Sequence, residues 1–157
     1  MVKKQIVTLC LAILAGLAQA DEVSSPVVRW TLLDQFDQAY TLNDSLEVLL
    51  VARSMEGAQI LHDAIKAKPE GYLEARDTLF VADISRMPQV IATLFAVPAM
   101  RDYDYRVLLD RQPQVAPRYP GAINTVLWID MQQGRVRSQR EYADAASLEA
   151  ALEQLAE

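Results

Sequence analysis

The residues most often used in catalysis and metal binding are scarce here: the chain has one histidine, His62, and one cysteine, Cys10. A histidine can act as a general base when a carboxylate orients it, and Asp63 directly follows His62. Adjacent helix residues do not face each other, however, so we predict a solvated helix histidine. One imidazole beside Asp63 and Glu56, without a thiolate, is a poor ligand set for zinc or copper, and we predict no metal site.

Two other catalytic motifs are incomplete. Ser54 lies between a predicted strand and a predicted helix, where a nucleophile elbow would place its serine, but it lacks the flanking glycines. No G-x-G-x-x-G occurs, so no phosphate-binding loop can be identified. The sequence therefore predicts no catalytic residue and no cofactor. A flavin stays open as an alternative, because flavin sites do not require that glycine motif.

Residues 1–20 have the three parts of a secretory signal peptide. Lys3 and Lys4 form a basic start, an apolar run covers residues 6–17, and Ala18-Gln19-Ala20 is a small-x-small cleavage pattern. We predict a Sec signal peptide over residues 1–20, cleavage after Ala20 and a periplasmic mature chain. The apolar run is too short for a membrane span, and none is predicted in the mature form.

Removal of the signal peptide would change the chemistry of the chain. The remaining 137 residues, 21–157, contain no cysteine, because Cys10 is the only one. Thiol–disulfide exchange, thiol peroxidase activity and thiolate metal sites are therefore excluded for the mature chain. Loss of Lys3 and Lys4 also takes the formal net charge from −6 to −8. With no basic run, no nucleic-acid partner is predicted.

Apolar patterning predicts strands that alternate with helices. The predicted strands cover residues 27–33, 39–42, 47–53, 78–84, 105–111, 125–131 and 135–141. This order predicts one α/β domain over residues 21–157, with a mixed central sheet and helices on both faces. Parallel strands need helical crossovers, whereas the last two strands read as an antiparallel hairpin.

Three helices are predicted, each with one apolar side. The first follows Ser54, the second starts at Pro88 and stops before Pro98, and Ser147 caps the last. The side chains predicted to face the core recur at helical spacing. They are Ile60, Leu61, Ala64 and Ile65 in the first helix, Val90, Ile91, Leu94 and Phe95 in the second, and Leu148, Leu152 and Leu155 in the last.

The order of these elements resembles the thioredoxin fold, and two stretches resemble the peroxiredoxin and TlpA-like redoxins. Residues 30–54 (WTLLDQFDQAYTLNDSLEVLLVARS) are similar to the opening hairpin and central strand of those proteins. Residues 105–155 are similar to the closing half, with strands that end in Asp110 and in Ile129-Asp130 and a turn glycine at Gly134. The resemblance implies a thioredoxin-like sandwich over most of the mature chain.

The same resemblance shows what is missing. The two cysteines of the redoxin pattern fall on Glu56 and Gln59, and neither side chain can act as a thiolate. The proline that precedes a threonine in that pattern is replaced by Asn124, and Pro120 lies four residues too early. The bond before a non-proline residue is expected to be trans, since the cis form costs about 2.5–4 kcal/mol. This chain is thus a divergent member of the pattern, without its catalytic turn and its substrate-clamping proline.

We therefore predict an exported, cysteine-free, non-catalytic module that binds a periplasmic protein or peptide. The alternatives are an oxidoreductase that works without thiols, with a flavin or as a subunit of a redox complex, and a purely structural envelope protein. The predicted binding face comprises the residues around the position of the missing cysteines. They are Ser54, Met55, Glu56, Gly57, Gln59 and Asn124.

Overall fold

The computed structural model describes residues 29–155. The predicted signal peptide over residues 1–20, its cleavage site after Ala20 and the predicted start of the domain at Asp21 lie outside the described residues. Over the range that is described, no helix is both long and apolar enough to cross a membrane.

Seven strands form one sheet, as the alternating pattern predicts. They are β1 (Thr31–Asp34), β2 (Ala39–Thr41), β3 (Val48–Ala52), β4 (Thr78–Asp83), β5 (Leu108–Asp110), β6 (Val126–Gln132) and β7 (Arg135–Tyr142). Their order in the sheet is β2-β1-β5-β4-β3-β6-β7. The central strands β3, β4 and β5 are parallel, and the outer pairs are antiparallel. The predicted α/β class with a mixed sheet is confirmed.

Both faces of the central strands are covered. All five residues of β3 are buried, as expected for a strand packed on two sides. Alternate residues enter two hydrophobic clusters. Leu50 lies on the side of the longer helices, and Val51 lies on the side covered by Trp30, Leu42 and the 3-10 helix Ala116–Arg118.

The helical elements alternate with the central strands. They are α1 (Met55–Ile65), a 3-10 helix (Glu74–Arg76), α2 (Gln89–Ile91), a π-helical segment (Ala92–Ala96), α3 (Val97–Met100) and α4 (Ala145–Glu153). The predicted core sides of α1 and α4 are confirmed for Leu61, Leu148 and Leu152, which are completely buried, whereas the predicted core residues Ile60 and Leu155 are only partly buried. The predicted cap of α4 is wrong by three residues. The Asp144 carboxylate is the cap and accepts a hydrogen bond from the Ser147 amide at 2.8 Å.

The second predicted helix is oriented differently from its prediction. We call α2, the π-helical segment and α3 together the 89–100 segment. Its large apolar side chains, predicted to face the core, are 45–64% exposed. Ala92 and Val97 face the core instead, and their five-residue separation matches a π turn rather than an α turn. The exposed residues are Val90, Ile91, Leu94 and Phe95.

Pro98 also does not end this helix as predicted. It lies in the first turn of α3, which follows the π-helical segment directly. The 89–100 segment therefore continues to Met100.

Strand β5 is shorter than the predicted strand over residues 105–111. The buried side chain of Gln35 takes the place of a neighbouring strand at its start. Its Nε2 donates to the Tyr105 carbonyl at 2.8 Å, and its Oε1 accepts from the Val107 amide at 2.9 Å. A side chain satisfies these backbone groups, so regular pairing begins only at Leu108.

Candidate functional site

The predicted binding face lies at the end of the sheet where the parallel central strands finish. The parallel strands β3, β4 and β5 end there at Ala52, Asp83 and Asp110. Strand β6 runs the other way and begins at the same edge, because Val126 pairs with Ala52. The turn after β3 and the residues before β6 are therefore neighbours. Ligands of open α/β sheets commonly bind at the carboxyl ends of parallel strands.

Ser54 holds the beginning of α1 in place. Its backbone is extended, with φ −146° and ψ 167°, and its Oγ accepts a hydrogen bond from the Gly57 amide at 3.1 Å. This is the usual geometry of a helix N-cap. Glu56, in the first turn, places a negative charge at the positive end of the helix dipole. The Ser54 hydroxyl thus has a structural use, and its hydrogen bond is not one that would activate a nucleophile.

Gly57 brings the start of α1 into contact with the backbone before β6. A Cβ atom at this position would lie 2.6 Å from the Thr125 carbonyl oxygen, far inside normal contact distance. Only glycine allows the helix to approach this closely. The structure therefore places the turn of residues 54–59 against the loop that contains Asn124. The described residues contain no cis peptide bond, so the bond between Ile123 and Asn124 is trans, as expected.

A shallow groove of about 440 Å³ opens beside this turn. Met55, Glu56 and Gln59 form one part of its lining. Three further residues were not identified from the sequence: Ile60, Asp63 and Ala145. Ala145 comes from the beginning of α4, so the groove lies between α1 and α4. Met55 is 73% exposed at its rim.

The groove combines apolar and acidic side chains. Asp63 accepts a hydrogen bond from Lys66 Nζ at 2.8 Å. That bond, together with one from Gln59, lowers the pKa of the Asp63 carboxyl. Asp63 is thus an exposed carboxylate whose charge is paired with Lys66, and Glu56 adds a second exposed carboxylate to the lining. The arrangement suits a ligand that offers an apolar group and a positive charge.

Arg53, which follows the last residue of β3, stabilises the same end of the sheet. Its Nη2 donates to the Ala116 carbonyl at 2.9 Å and also to the Tyr119 carbonyl. Burial lowers the pKa of the guanidinium, whereas the carboxylates of Asp83 and Glu141 act in the opposite direction. Arg53 joins the end of β3 to the loop around the 3-10 helix. Sequence reasoning treated Arg53 only as the end of a strand.

His62 lies in an aromatic cluster rather than in solvent, so the prediction of a solvated histidine is wrong. Its Nδ1 is 3.1 Å from the Tyr105 hydroxyl, and its ring centroid is 4.8 Å from that of Tyr103. The Tyr103 ring stacks on Tyr105 at 5.0 Å. Burial strongly raises the pKa of Tyr105, which therefore keeps its hydroxyl proton. Tyr105 was predicted only as the start of a strand, and Tyr103 lies before that predicted strand.

The carboxylates do not converge on a metal-binding geometry. Within residues 29–155, the structure contains no group of three His, Cys, Asp or Glu side chains that could hold a metal ion. The groove side chains are an amide, two carboxylates and apolar groups, and Glu56 and Gln59 stand where the resemblance to the redoxin pattern predicts its cysteines. These groups can form hydrogen bonds and ion pairs with a ligand, but they cannot exchange disulfides.

Comparisons with known proteins agree on the fold. No protein-family model matches the chain, and no curated protein matches its sequence. Among solved structures, the exposed lipoprotein thioredoxin Etrx1 of Streptococcus pneumoniae is similar with a TM-score of 0.56 and 18% identity, covering 82% of this chain and 100% of that one. StoA of Bacillus subtilis has a TM-score of 0.51 and 10% identity, covering 80% and 98%.

Peroxidoxin BcpB of Mycobacterium tuberculosis is also similar, with a TM-score of 0.50 and 16% identity, covering 80% of this chain and 90% of that one. These similarities show that the chain has the thioredoxin-like fold implied by the resemblance of residues 30–54 and 105–155. At such low identities the similarities show a shared fold, and they do not show that this chain has the activity of those proteins.

Proposed function

We propose that the chain is an exported, non-catalytic binding module for a protein or peptide partner. The observation that carries this proposal is the groove between α1 and α4, whose lining includes Met55, Glu56 and Gln59. These residues occupy the turn at which the redoxin pattern has its cysteines. The frame around the turn is intact, and the groups in it are suited to contacts rather than to thiol chemistry.

The chemistry of the groove favours a particular kind of partner segment. Ile60 and Ala145 offer an apolar surface, and Glu56, beside the Asp63–Lys66 ion pair, offers negative charge. An extended segment with one large apolar residue and a nearby lysine or arginine would satisfy both. Asn124 lies on the loop that contacts Gly57 and could add a side-chain amide to the same surface.

Export is supported by the sequence of residues 1–20, which has the basic, apolar and cleavage parts of a signal peptide. One structurally similar protein is described as an exposed lipoprotein, which accords with an extracytoplasmic use of this fold. The proposal predicts a mature protein in the periplasmic fraction that begins at Asp21, as read by mass spectrometry. A full-length chain recovered from the cytoplasm would contradict this part of the proposal.

Binding can be tested by site-specific photo-crosslinking in cells. A photoreactive residue in place of Glu56 should give one discrete adduct, and the adduct identifies the partner. Val136, exposed on β7 at the edge of the sheet, is the control position and should give no such adduct. The absence of any adduct from position 56, or the same pattern from both positions, would mean that the groove is not a binding site.

A charge reversal checks that capture depends on the groove. Glu56→Lys should lower the affinity for the identified partner about tenfold or more, since it places a cation where one is proposed to bind. Glu47→Lys makes the same charge change on an exposed residue just before β3, at the opposite end of that strand, and should leave affinity unchanged. Visible absorption of a bound flavin in the purified protein would instead support the oxidoreductase alternative.

A further inference from the structure

Met55 presents an exposed thioether at the rim of the groove between α1 and α4. It is the first residue of α1, next to the N-cap Ser54, and it is 73% exposed. It belongs to neither of the two hydrophobic clusters that form the core. Methionine is a common contact residue of binding surfaces, because its thioether is flexible and polarisable. Met55 is therefore accessible both to a ligand and to reagents in solvent.

The other methionines of residues 29–155 are less accessible. Met131 is 6% exposed and belongs to the core. Met87 and Met100 are partly buried and pack against the cluster on the side of the longer helices. Residues 21–157 contain no cysteine, so no thiol competes for an oxidant. Because access from solvent controls attack on a thioether, Met55 is the sulfur of the predicted mature chain that should react first.

We propose that Met55 is a site of reversible oxidation that weakens binding in the groove. The reagent is a peroxide, and the product is methionine sulfoxide. The Met55 sulfur attacks one peroxide oxygen, the O–O bond breaks, and that oxygen forms the new S–O bond. With hydrogen peroxide the other oxygen leaves as water, so the sulfur loses two electrons and the peroxide gains them. Methionine sulfoxide reductases reverse the change.

Oxidation would change the chemistry of the groove at one point. Met55, Ile60 and Ala145 supply its apolar lining. A sulfoxide is polar, so the apolar end of Met55 would become a hydrogen-bond acceptor that binds water. An apolar group of a partner would then have to displace that water without replacing its hydrogen bonds. Glu56 and Gln59 are unchanged by the reaction, so the groove would lose apolar contact and keep its charge.

The oxidation and its effect on binding can fail separately. Selective oxidation of Met55 depends only on its exposure and on the lower exposure of the other methionines. The loss of affinity rests on the proposed function, because it requires a partner in the groove. If oxidation weakens binding, a bound partner should in turn slow the oxidation of Met55, since the coupling between the two events is reciprocal.

Peptide mass mapping after treatment with hydrogen peroxide tests the modification. The purified protein should gain oxygen on Met55 at least about tenfold faster than on Met131, with Met87 and Met100 between them. The circular dichroism spectrum should be unchanged when only Met55 is oxidised, since its side chain lies outside the core. Methionine sulfoxide reductases of both stereospecificities should remove the added oxygen. Oxidation of any other methionine before Met55 would overturn the proposal.

Photo-crosslinking from position 145, on the α4 side of the groove, tests the effect on binding. The purified protein with a photoreactive residue in place of Ala145 is oxidised, freed of peroxide and illuminated in a periplasmic extract, so that the partner itself is not oxidised. The adduct that position 56 also gives should fall about fivefold or more after oxidation.

Two leucine variants assign the effect to one sulfur atom. In Met55→Leu, peroxide should leave the adduct at the level of the untreated variant, whereas Met87→Leu should keep the sensitivity of the wild type. Capture by the wild type that peroxide does not change, or capture by Met55→Leu that peroxide reduces, would overturn the proposal. No adduct even before oxidation would overturn the proposed function and, with it, the effect of Met55 on binding.

Discussion

Helix α1 and the 89–100 segment pack on the same face of the sheet, but they use their apolar residues in opposite ways. In α1 the large side chains Leu61 and Ile65 are buried, and the outward side is polar. In the 89–100 segment the large side chains are outside, and the small Ala92 faces the core. Apolar spacing alone therefore does not decide which side of a helix is buried.

The difference follows from the polar residues that accompany the apolar ones. Helix α1 contains the polar residues Glu56, Gln59 and Asp63 on one of its sides. That side must therefore face solvent. The 89–100 segment has only Gln89 and Thr93 as polar residues, so either side could face the core. The π-helical segment then determines which side is buried. In a helix without charged residues, the sequence does not indicate which side faces solvent.

The largest effect on stability should distinguish Leu61 from Leu94, since apolar spacing predicts that both face the core. Leu61→Ala should lower the free energy of unfolding by about 3 kcal/mol, because Leu61 is completely buried and the change leaves a cavity. Leu94→Ala, measured at low protein concentration, should change it by less than about 0.5 kcal/mol. Urea denaturation of the two variants provides the measurement. Equal losses would mean that the 89–100 segment is packed in the way that its spacing predicts.

The contact between α1 and the loop before β6 should give the next effect. Gly57→Ala should destabilise the protein by about 2 kcal/mol, since the added Cβ would lie 2.6 Å from the Thr125 carbonyl oxygen. In an open helix the same substitution would stabilise by about 1 kcal/mol. Thermal or urea unfolding distinguishes the two signs, and a stabilised variant would show that the two segments are not in contact.

The N-cap of α1 should contribute less. Ser54→Ala should cost about 1 kcal/mol, because the Gly57 amide loses its acceptor. Ser54→Asp should keep most of the stability, since a carboxylate can accept the same bond. Urea denaturation midpoints measure both. A Ser54→Asp variant as unstable as Ser54→Ala would argue against the capping role of Ser54.

The smallest effect concerns the titration of α1, for which the 89–100 segment has no counterpart. The hydrogen bond from Lys66, followed by that from Gln59, lowers the pKa of Asp63 below the ordinary value of 3.8. A depressed pKa adds stability that is present above 3.8 and is lost as the pH falls through the lower folded value. Lys66→Met should move the NMR titration midpoint of Asp63 upward. An unchanged midpoint would mean that Lys66 does not hold the carboxylate.

The sheet could be predicted from the sequence because its central strands are continuous apolar runs. Val48–Ala52 and Thr78–Asp83 lie where the pattern places them. The first residue of β5 could not be predicted, because the side chain of Gln35 replaces a strand partner at Tyr105 and Val107. Nothing in the local sequence signals this substitution.

The candidate site could be predicted in part. The turn of residues 54–59 follows directly from a buried strand and a helix start, so Met55, Glu56 and Gln59 were accessible to sequence reasoning. Ala145 was not, since it reaches the groove from α4, which is distant along the chain. Sequence reasoning also missed the contact between His62 and Tyr105, because it depends on how α1 packs against residues 103–105.

The central claim is that one partner binds in the groove between α1 and α4, and the most direct test approaches that groove from α4. A photoreactive residue in place of Ala145 should capture the same partner, with the same mass, as one at position 56. Glu56→Lys should strongly reduce this capture, whereas Glu47→Lys should not. No adduct from position 145, a different adduct, or one unaffected by Glu56→Lys would contradict binding in the groove.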